Sequence, residues 1–331
     1  MKITKVQATR IKIPLVKPYI CANASLKTFD DVLIRIWTDE GLMGVGESDP
    51  IPAVSEETTV GIVDTITHKL APVIVGKDPF DLELINEEMD KVVPDNLHAK
   101  AGIDMALWDL KGKALGFPVY KLLAGEYKDM IPVDFTVGIN APESMAEEAL
   151  RRVNQGYSTL VLNIGLDPLG DVERMRKVRD AVGDNVKLRL DANEGYRADQ
   201  AIRVIRKLER YDPELVEQPV KRWDLKGMKR IAKSVDVPIS ADESNTTLQS
   251  AWRLLEEEAA DILNIKITKN GGLTRSMKIA NIAEAAGIPC LVGGMNTYEV
   301  TRQASRHFAA SIAQVQRGYA SEGCGPASQA L

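Results

Sequence analysis

Over the first fifty residues, apolar positions alternate with polar or basic ones. Residues 3–13 (ITKVQATRIKI) alternate almost strictly. Residues 32–37 (VLIRIW) form a β-rich run, and residues 42–47 return after a Thr-Asp-Glu-Gly turn at 38–41. A period of two predicts strands with one buried face, so this stretch reads as a three-stranded meander. From about 55 to 115 the apolar spacing becomes helical. Ala101, Met105, Leu107, Trp108 and Leu110 form one buried stripe, and Gly-Phe-Pro at 116–118 ends it. Residues 1–125 are therefore expected to form an α+β domain.

From about 131 the pattern changes. Short β-rich runs at 131–137, 159–164, 186–190, 215–217, 237–240, 262–265, 290–292 and, weakly, 318–321 alternate with amphipathic stretches such as 171–182, 199–211 and 274–286. Parallel pairing requires crossovers of this kind. Eight such units predict an α/β fold of the (β/α)8 type, a modified TIM barrel, over residues 126–331. Polar residues stand where five successive runs end: Asn163, Asp191, Glu217, Asp242 and Lys266, separated by 28, 26, 25 and 24 residues. Each step is one βα unit, so these side chains are expected on one rim, the C-terminal one where barrel active sites lie. A single Asp at such a place commonly caps the next helix. Three acids and a lysine on four consecutive strand ends point instead to a site.

Composition narrows the classes. The chain of 331 residues carries 42 Lys and Arg against 47 Asp and Glu, a net charge of −5. Such a chain lacks the basic excess that coating nucleic acid or an anionic membrane needs. No apolar run approaches the roughly 18 residues of a membrane span, and the alternating N-terminus lacks the continuous apolar block of a signal peptide and reads as a first strand. Cys21, Cys290 and Cys324 are too widely spaced for a disulfide framework or a CxxC site, so a reducing, cytoplasmic setting is expected. The three histidines, His68, His98 and His307, read as packing or surface residues. GxSxG and GxxxxGK[ST] are absent, and GVGES at 44–48 is not a full dinucleotide fingerprint.

Asp191, Glu217 and Asp242 would bring three negative charges to one small space, where each raises the pKa of the others. A hard divalent cation resolves this. Oxygen donors without His or Cys suit Mg2+, with Mn2+ as a second possibility, and leave room for substrate around the ion. Lys266, one strand further on, is expected to feel that cation and to titrate below the ordinary value of about 10.4, as a general base near neutrality. Its other reading is an ion pair that neutralises surplus carboxylate. A base beside such a metal suits removal of the proton α to a carboxylate, with the metal stabilising the enediolate. Lys269, in the Lys-Asn-Gly-Gly turn, is expected at the surface.

The chain resembles the enolase superfamily, in its mandelate racemase/muconate lactonizing enzyme family and the muconate-lactonizing subgroup. The resemblance rests on GVGES at 44–48, KAGIDMALWD at 100–109, LDAN at 190–193, VEQP at 216–219, SADES at 240–244 and NIKITKNGG at 264–272, in the family's order. It implies metal ligands at Asp191, Glu217 and Asp242, a sixth-strand acid/base at Lys266, and a capping role for residues 1–125. A loop at 18–27, with Tyr19, would lie over the site and help to choose a small carboxylic-acid substrate. Asn193, Asn163 and Thr297 are further expected substrate contacts, and a homo-oligomer is expected from the family. Trp108 and Asp109 fall in a matching stretch but read as packing.

Two departures stand out. The family's Lys-x-Lys at the end of the second barrel strand is Val161-Leu162-Asn163 here, and Asn does not titrate near neutrality. The chain also ends just past the eighth strand, as expected of a truncated sequence. Racemases of this family need an acid/base on each face of the α-carbon. With Asn163 in place of one, a one-base dehydratase (lyase) or muconate-type cycloisomerase becomes the leading expectation. A two-base racemase or epimerase is the alternative, and a catalytically silent carboxylate-binding homologue is the reading of another class.

Overall fold

The computed structural model describes residues 1–128, 131–295, 298–313 and 315. Two sheets organise it. The first is an antiparallel meander of β1 (Ile3–Ile20), β2 (Ser25–Thr38) and β3 (Met43–Ser48), in the order β1-β2-β3. The second is parallel and seven-stranded: β4 (Phe135–Val137), β5 (Thr159–Asn163), β6 (Lys187–Asp191), β7 (Pro213–Glu217), β8 (Ile239–Ala241), β9 (Ile262–Ile265) and β10 (Cys290–Val292). Its strands lie side by side in chain order with a helix across each connection, the wall of a (β/α)8-type barrel. The run at 318–321 lies outside the described residues. Among the described residues no helix is long and apolar enough to cross a membrane.

The helix Leu97–Leu115 joins the two parts. It is buried on nearly every side, so its apolar residues do not form a single stripe. Against β3 it comes so close that a Cβ at Gly46 would stand 1.8 Å from the carbonyl oxygen of Gly102. The glycines of GVGES therefore permit packing of helix on strand rather than cradling a phosphate. Trp108 on the same helix is buried and donates from Nε1 to Oγ1 of Thr274, 3.0 Å away on a barrel helix, while Asp109 accepts the Val45 amide at 2.8 Å. Both are packing residues, as the sequence indicates. Glu47 accepts the amides of Tyr298 (2.6 Å) and Thr301 (3.0 Å), a carboxylate at the N-terminus of the helix Glu299–Ser311, which follows β10.

The segment 18–27 is not a loop. β1 runs to Ile20 and β2 begins at Ser25, so the meander's first hairpin extends as a ribbon to a turn at 21–24. Alternation hid this, because Pro14 and Pro18 interrupt the pattern and the pairing slips register between Pro14 and Tyr19. The tip is anchored: the Ile139 amide, beyond β4, donates to the Ile20 carbonyl at 2.8 Å.

Candidate active site

The strand ends converge as the spacing predicts. Asn163, Asp191 and Glu217 are the last residues of β5, β6 and β7. Asn163 and Asp191 are direct ladder partners, as are Asp191 and Glu217. Asp242 and Lys266 follow immediately after β8 and β9. A cavity of about 810 Å3, mouth included, opens at this rim. Asp191, Asn193, Glu217, Glu243, Asn264 and Lys266 border it from the barrel, and Tyr19 and Cys21 border it from the hairpin. Thr297 lies outside the described residues.

Four carboxylates crowd this space. Burial, then Glu217 and Glu243, push Asp191 well above the ordinary carboxylate range. Burial and Asp242 push Glu217 up to about 7, and burial and Asp242 push Glu243 up to about 8. Burial also works against Asp242, yet Lys266 and Lys269 hold it below its ordinary value. Lys266 Nζ donates to Oδ2 of Asp242 at 2.6 Å, and Lys269 Nζ donates to Oδ1 at 2.7 Å. Asn264 donates to Glu217 at 2.8 Å, and Asn193 donates to Asp191 through its amide and Nδ2 at 2.9 and 2.8 Å.

One expectation changes here. Lys269 is buried in the site rather than exposed at a turn, because the turn folds back and aims its ammonium at Asp242. The protein's own groups by themselves raise Lys266, whereas the expected lowering is the effect of a bound cation. Burial disfavours its ammonium, but Asp242, Glu217, Glu243 and Asp191 together outweigh that. The protein's own groups thus make Lys266 the ion-pair partner of Asp242. A cation taken up by the same carboxylates would oppose that pairing. Glu243 and Asn264 were missed by the sequence reading. The acid adjoining Asp242 in SADES and the asparagine two residues before Lys266 were the available signals.

The donor set fits a hard cation: oxygen-only, and with three carboxylates raised first by burial and then by mutual repulsion. Oε2 of Glu243 has no hydrogen-bond partner. Among the described residues, no three such side chains already stand around one point as a finished coordination shell. The reason is local, since both oxygens of Asp242 are held by lysines and those of Asp191 by Asn193.

Asn163 does not stand free at the rim. It is buried, its Nδ2 donates to Oδ1 of Asn193 at 2.8 Å, and its Oδ1 accepts the Tyr19 hydroxyl at 2.9 Å. Val161, two residues earlier, borders the cavity directly. Gly293, after β10, keeps the Lys266 stem in place: a Cβ there would meet Cε of Lys266 at 2.9 Å and the Asn264 amide group at 2.5 Å.

This fold and rim define an enzyme of the enolase type. The mandelate racemase/muconate lactonizing enzyme N-terminal domain model matches residues 3–124, and the enolase C-terminal domain-like model matches residues 144–327. The chain belongs to the mandelate racemase/muconate lactonizing enzyme family of the enolase superfamily. It is 39% identical over 320 residues to an L-Ala-D/L-Glu epimerase from Bacillus subtilis, covering 96% of this chain and 87% of that one. It is 33% identical over 322 residues to a chloromuconate cycloisomerase from Cupriavidus necator, with 96% and 87% covered. A crystal structure of a dipeptide epimerase from Enterococcus faecalis, complexed with Mg and the dipeptide L-Leu-L-Tyr, superposes with a TM-score of 0.93 at 38% identity, covering 96% and 90%. The similar proteins are thus isomerases, and epimerases stand prominently among them. The two-base alternative therefore fits these relatives better than the one-base reading drawn from Asn163.

Proposed function

We propose that the chain is a Mg2+-dependent epimerase that inverts the carbon α to a carboxylate in an N-acylated amino acid such as a dipeptide. The observation that carries this reading is the convergence of Asp191, Glu217, Asp242 and Lys266 on one buried rim, in a chain whose relatives include dipeptide epimerases. Asp191, Glu217 and Asp242 would hold the cation. When bound, it supplies positive charge where the substrate carboxylate gains negative charge during proton removal. Lys266 holds or takes the α-proton on one face. Lys269 keeps Asp242 oriented, Asn264 does the same for Glu217, and Asn193 for Asp191. An acylated substrate brings no second ammonium next to the α-carbon, which suits a rim already holding two lysines.

The test is exchange of the α-proton with deuterated solvent, followed by NMR, in the presence of Mg2+ and a library of dipeptides and other N-acyl amino acids. Both epimers of the true substrate should acquire deuterium and interconvert. Labelling of one epimer alone would overturn epimerisation in favour of one-base chemistry. No exchange across the library would favour a carboxylate-binding protein without turnover.

A further inference from the structure

We infer that the Tyr19 hydroxyl is the second acid/base, acting on the face of the α-carbon away from Lys266, and that Asn163 is the residue that positions it. The inference rests on the epimerase reading and names the group which that reading otherwise lacks.

Four observations carry it. First, β5 and β9 are separated by β6, β7 and β8, and in an eight-stranded barrel four steps are half a turn. The end of β5 therefore faces Lys266 across the mouth. Second, Asn163 ends β5 but is buried and bonded at both ends of its side chain, while Tyr19 borders the same cavity as Lys266. The proton-bearing group that Asn163 itself holds on that side is the phenol. Third, the phenol is aimed. Its O–H donates to Oδ1 of Asn163, whose Nδ2 donates to Asn193, which in turn donates to Asp191. The chain Tyr19–Asn163–Asn193–Asp191 ties the hydroxyl to the carboxylate rim. Fourth, the hairpin that carries Tyr19 is pinned to the barrel by the Ile139–Ile20 hydrogen bond and by the close approach of Tyr19 and Ile20 to Gly138 after β4. Proton transfer needs such preorganisation.

In one direction Lys266 takes the α-proton. The phenol then gives its proton to the opposite face, where the electron pair of the enediolate forms the new C–H bond and leaves phenolate. In the other direction phenolate removes the α-proton, the C–H pair enters the enediolate, and the Lys266 ammonium returns a proton to its own face. Each turnover leaves one group a proton short and the other a proton richer, and exchange with solvent water restores both.

The experiment compares wild type, Tyr19→Phe, Lys266→Met and Asn163→Ala as full chains with Mg2+ and a dipeptide substrate. It reads α-deuteration of each epimer separately, and dipeptide binding by calorimetry. In wild type both epimers exchange. Tyr19→Phe should lose about 100-fold or more in the exchange of one epimer only, and Lys266→Met the same in the other, with dipeptide affinity in Tyr19→Phe within about threefold of wild type. Asn163→Ala should depress the same epimer as Tyr19→Phe, a stereochemical signature that a merely structural role would not give. Equal losses for both epimers in Tyr19→Phe, or no loss in either, would overturn the assignment while leaving the epimerase reading intact. One-epimer labelling by the wild type would overturn that reading itself, before any variant is compared.

Discussion

Lys269 closes on Asp242 twice: its Nζ donates to the main-chain carbonyl at 2.6 Å and to Oδ1 at 2.7 Å. The same ammonium reaches the Asn264 carbonyl at 3.0 Å. It thereby fastens the turn after β9 to the end of β8. Burial lowers its pKa, and Asp242 partly restores it. A charge held this deeply is tolerable only with its donors satisfied, and here all three are.

Removing it should therefore be costly. Lys269→Met keeps the stem but leaves the Asp242 carboxylate to Lys266 alone and the Asn264 carbonyl to Asn245 Nδ2. Breaking one partner of a buried pair costs about 3–5 kcal/mol, and the remaining Lys266 contact should hold the loss near the lower figure. Urea unfolding at neutral pH measures it. A loss under about 1 kcal/mol would mean that the pairing contributes only orientation.

The carboxylates should oppose stability until a cation arrives. Glu217→Gln removes a buried charge that burial and Asp242 disfavour. Without Mg2+ the variant should melt at or above the wild-type temperature. With Mg2+ the order should reverse. At about 100 times its Kd, a ligand stabilises by about 2.7 kcal/mol, and the variant should forfeit most of this. An equal Mg2+-induced shift in both proteins would remove Glu217 from the ligand set. Asp191→Asn and Asp242→Asn can be judged the same way.

A second acidic cluster lies in the capping sheet. Burial, then Asp49 and Glu47, push Asp31 up to about 10, and it shares a hydrogen bond with Glu47. Asp49 is buried too, and burial and Glu47 push it well above the ordinary carboxylate range. Between its ordinary value of 3.8 and about 10, folded Asp31 keeps a proton that the unfolded chain has lost. Stability should therefore fall as pH rises through this window, by at most about 1.4 kcal/mol per pH unit from this group. Asp31→Asn stays neutral throughout and should flatten the decline between pH 6 and pH 9 in thermal melts. An unchanged slope would assign the decline to Asp49 or Glu47.

The strand ends were legible in the sequence because barrel geometry converts a spacing of 24 to 28 residues into neighbourhood on one rim. Asp191, Glu217, Asp242 and Lys266 follow from that alone. What stayed hidden depends on turns. Lys269 looked exposed because a Lys-Asn-Gly-Gly turn usually faces water, and only the fold shows it pointing inward. The hairpin at 18–27 resembled a loop because two prolines and a register slip break its alternation. The Asn163 substitution was visible, but its consequence was not. Tyr19 lies 144 residues away in sequence, and only the docked hairpin brings its hydroxyl to Asn163.

Gly293 offers the last test, because it separates packing of the base from the fold. Its missing side chain leaves room for the Lys266 stem and for the Asn264 amide that holds Glu217. In Gly293→Ala the new methyl would stand 2.5 Å from Oδ1 of Asn264 and 2.9 Å from Cε of Lys266, so one or both must move. Overpacking of this kind costs about 1–3 kcal/mol, which a barrel of this size should survive folded. The displaced base should cost more. A shift of about 1 Å at a reacting group can reduce rate by about 100-fold. The variant should therefore retain a cooperative melt only a few degrees below wild type, yet lose at least about tenfold in α-proton exchange. Exchange at the wild-type rate would mean that Lys266 has room to spare and that the glycine serves only the turn after β10.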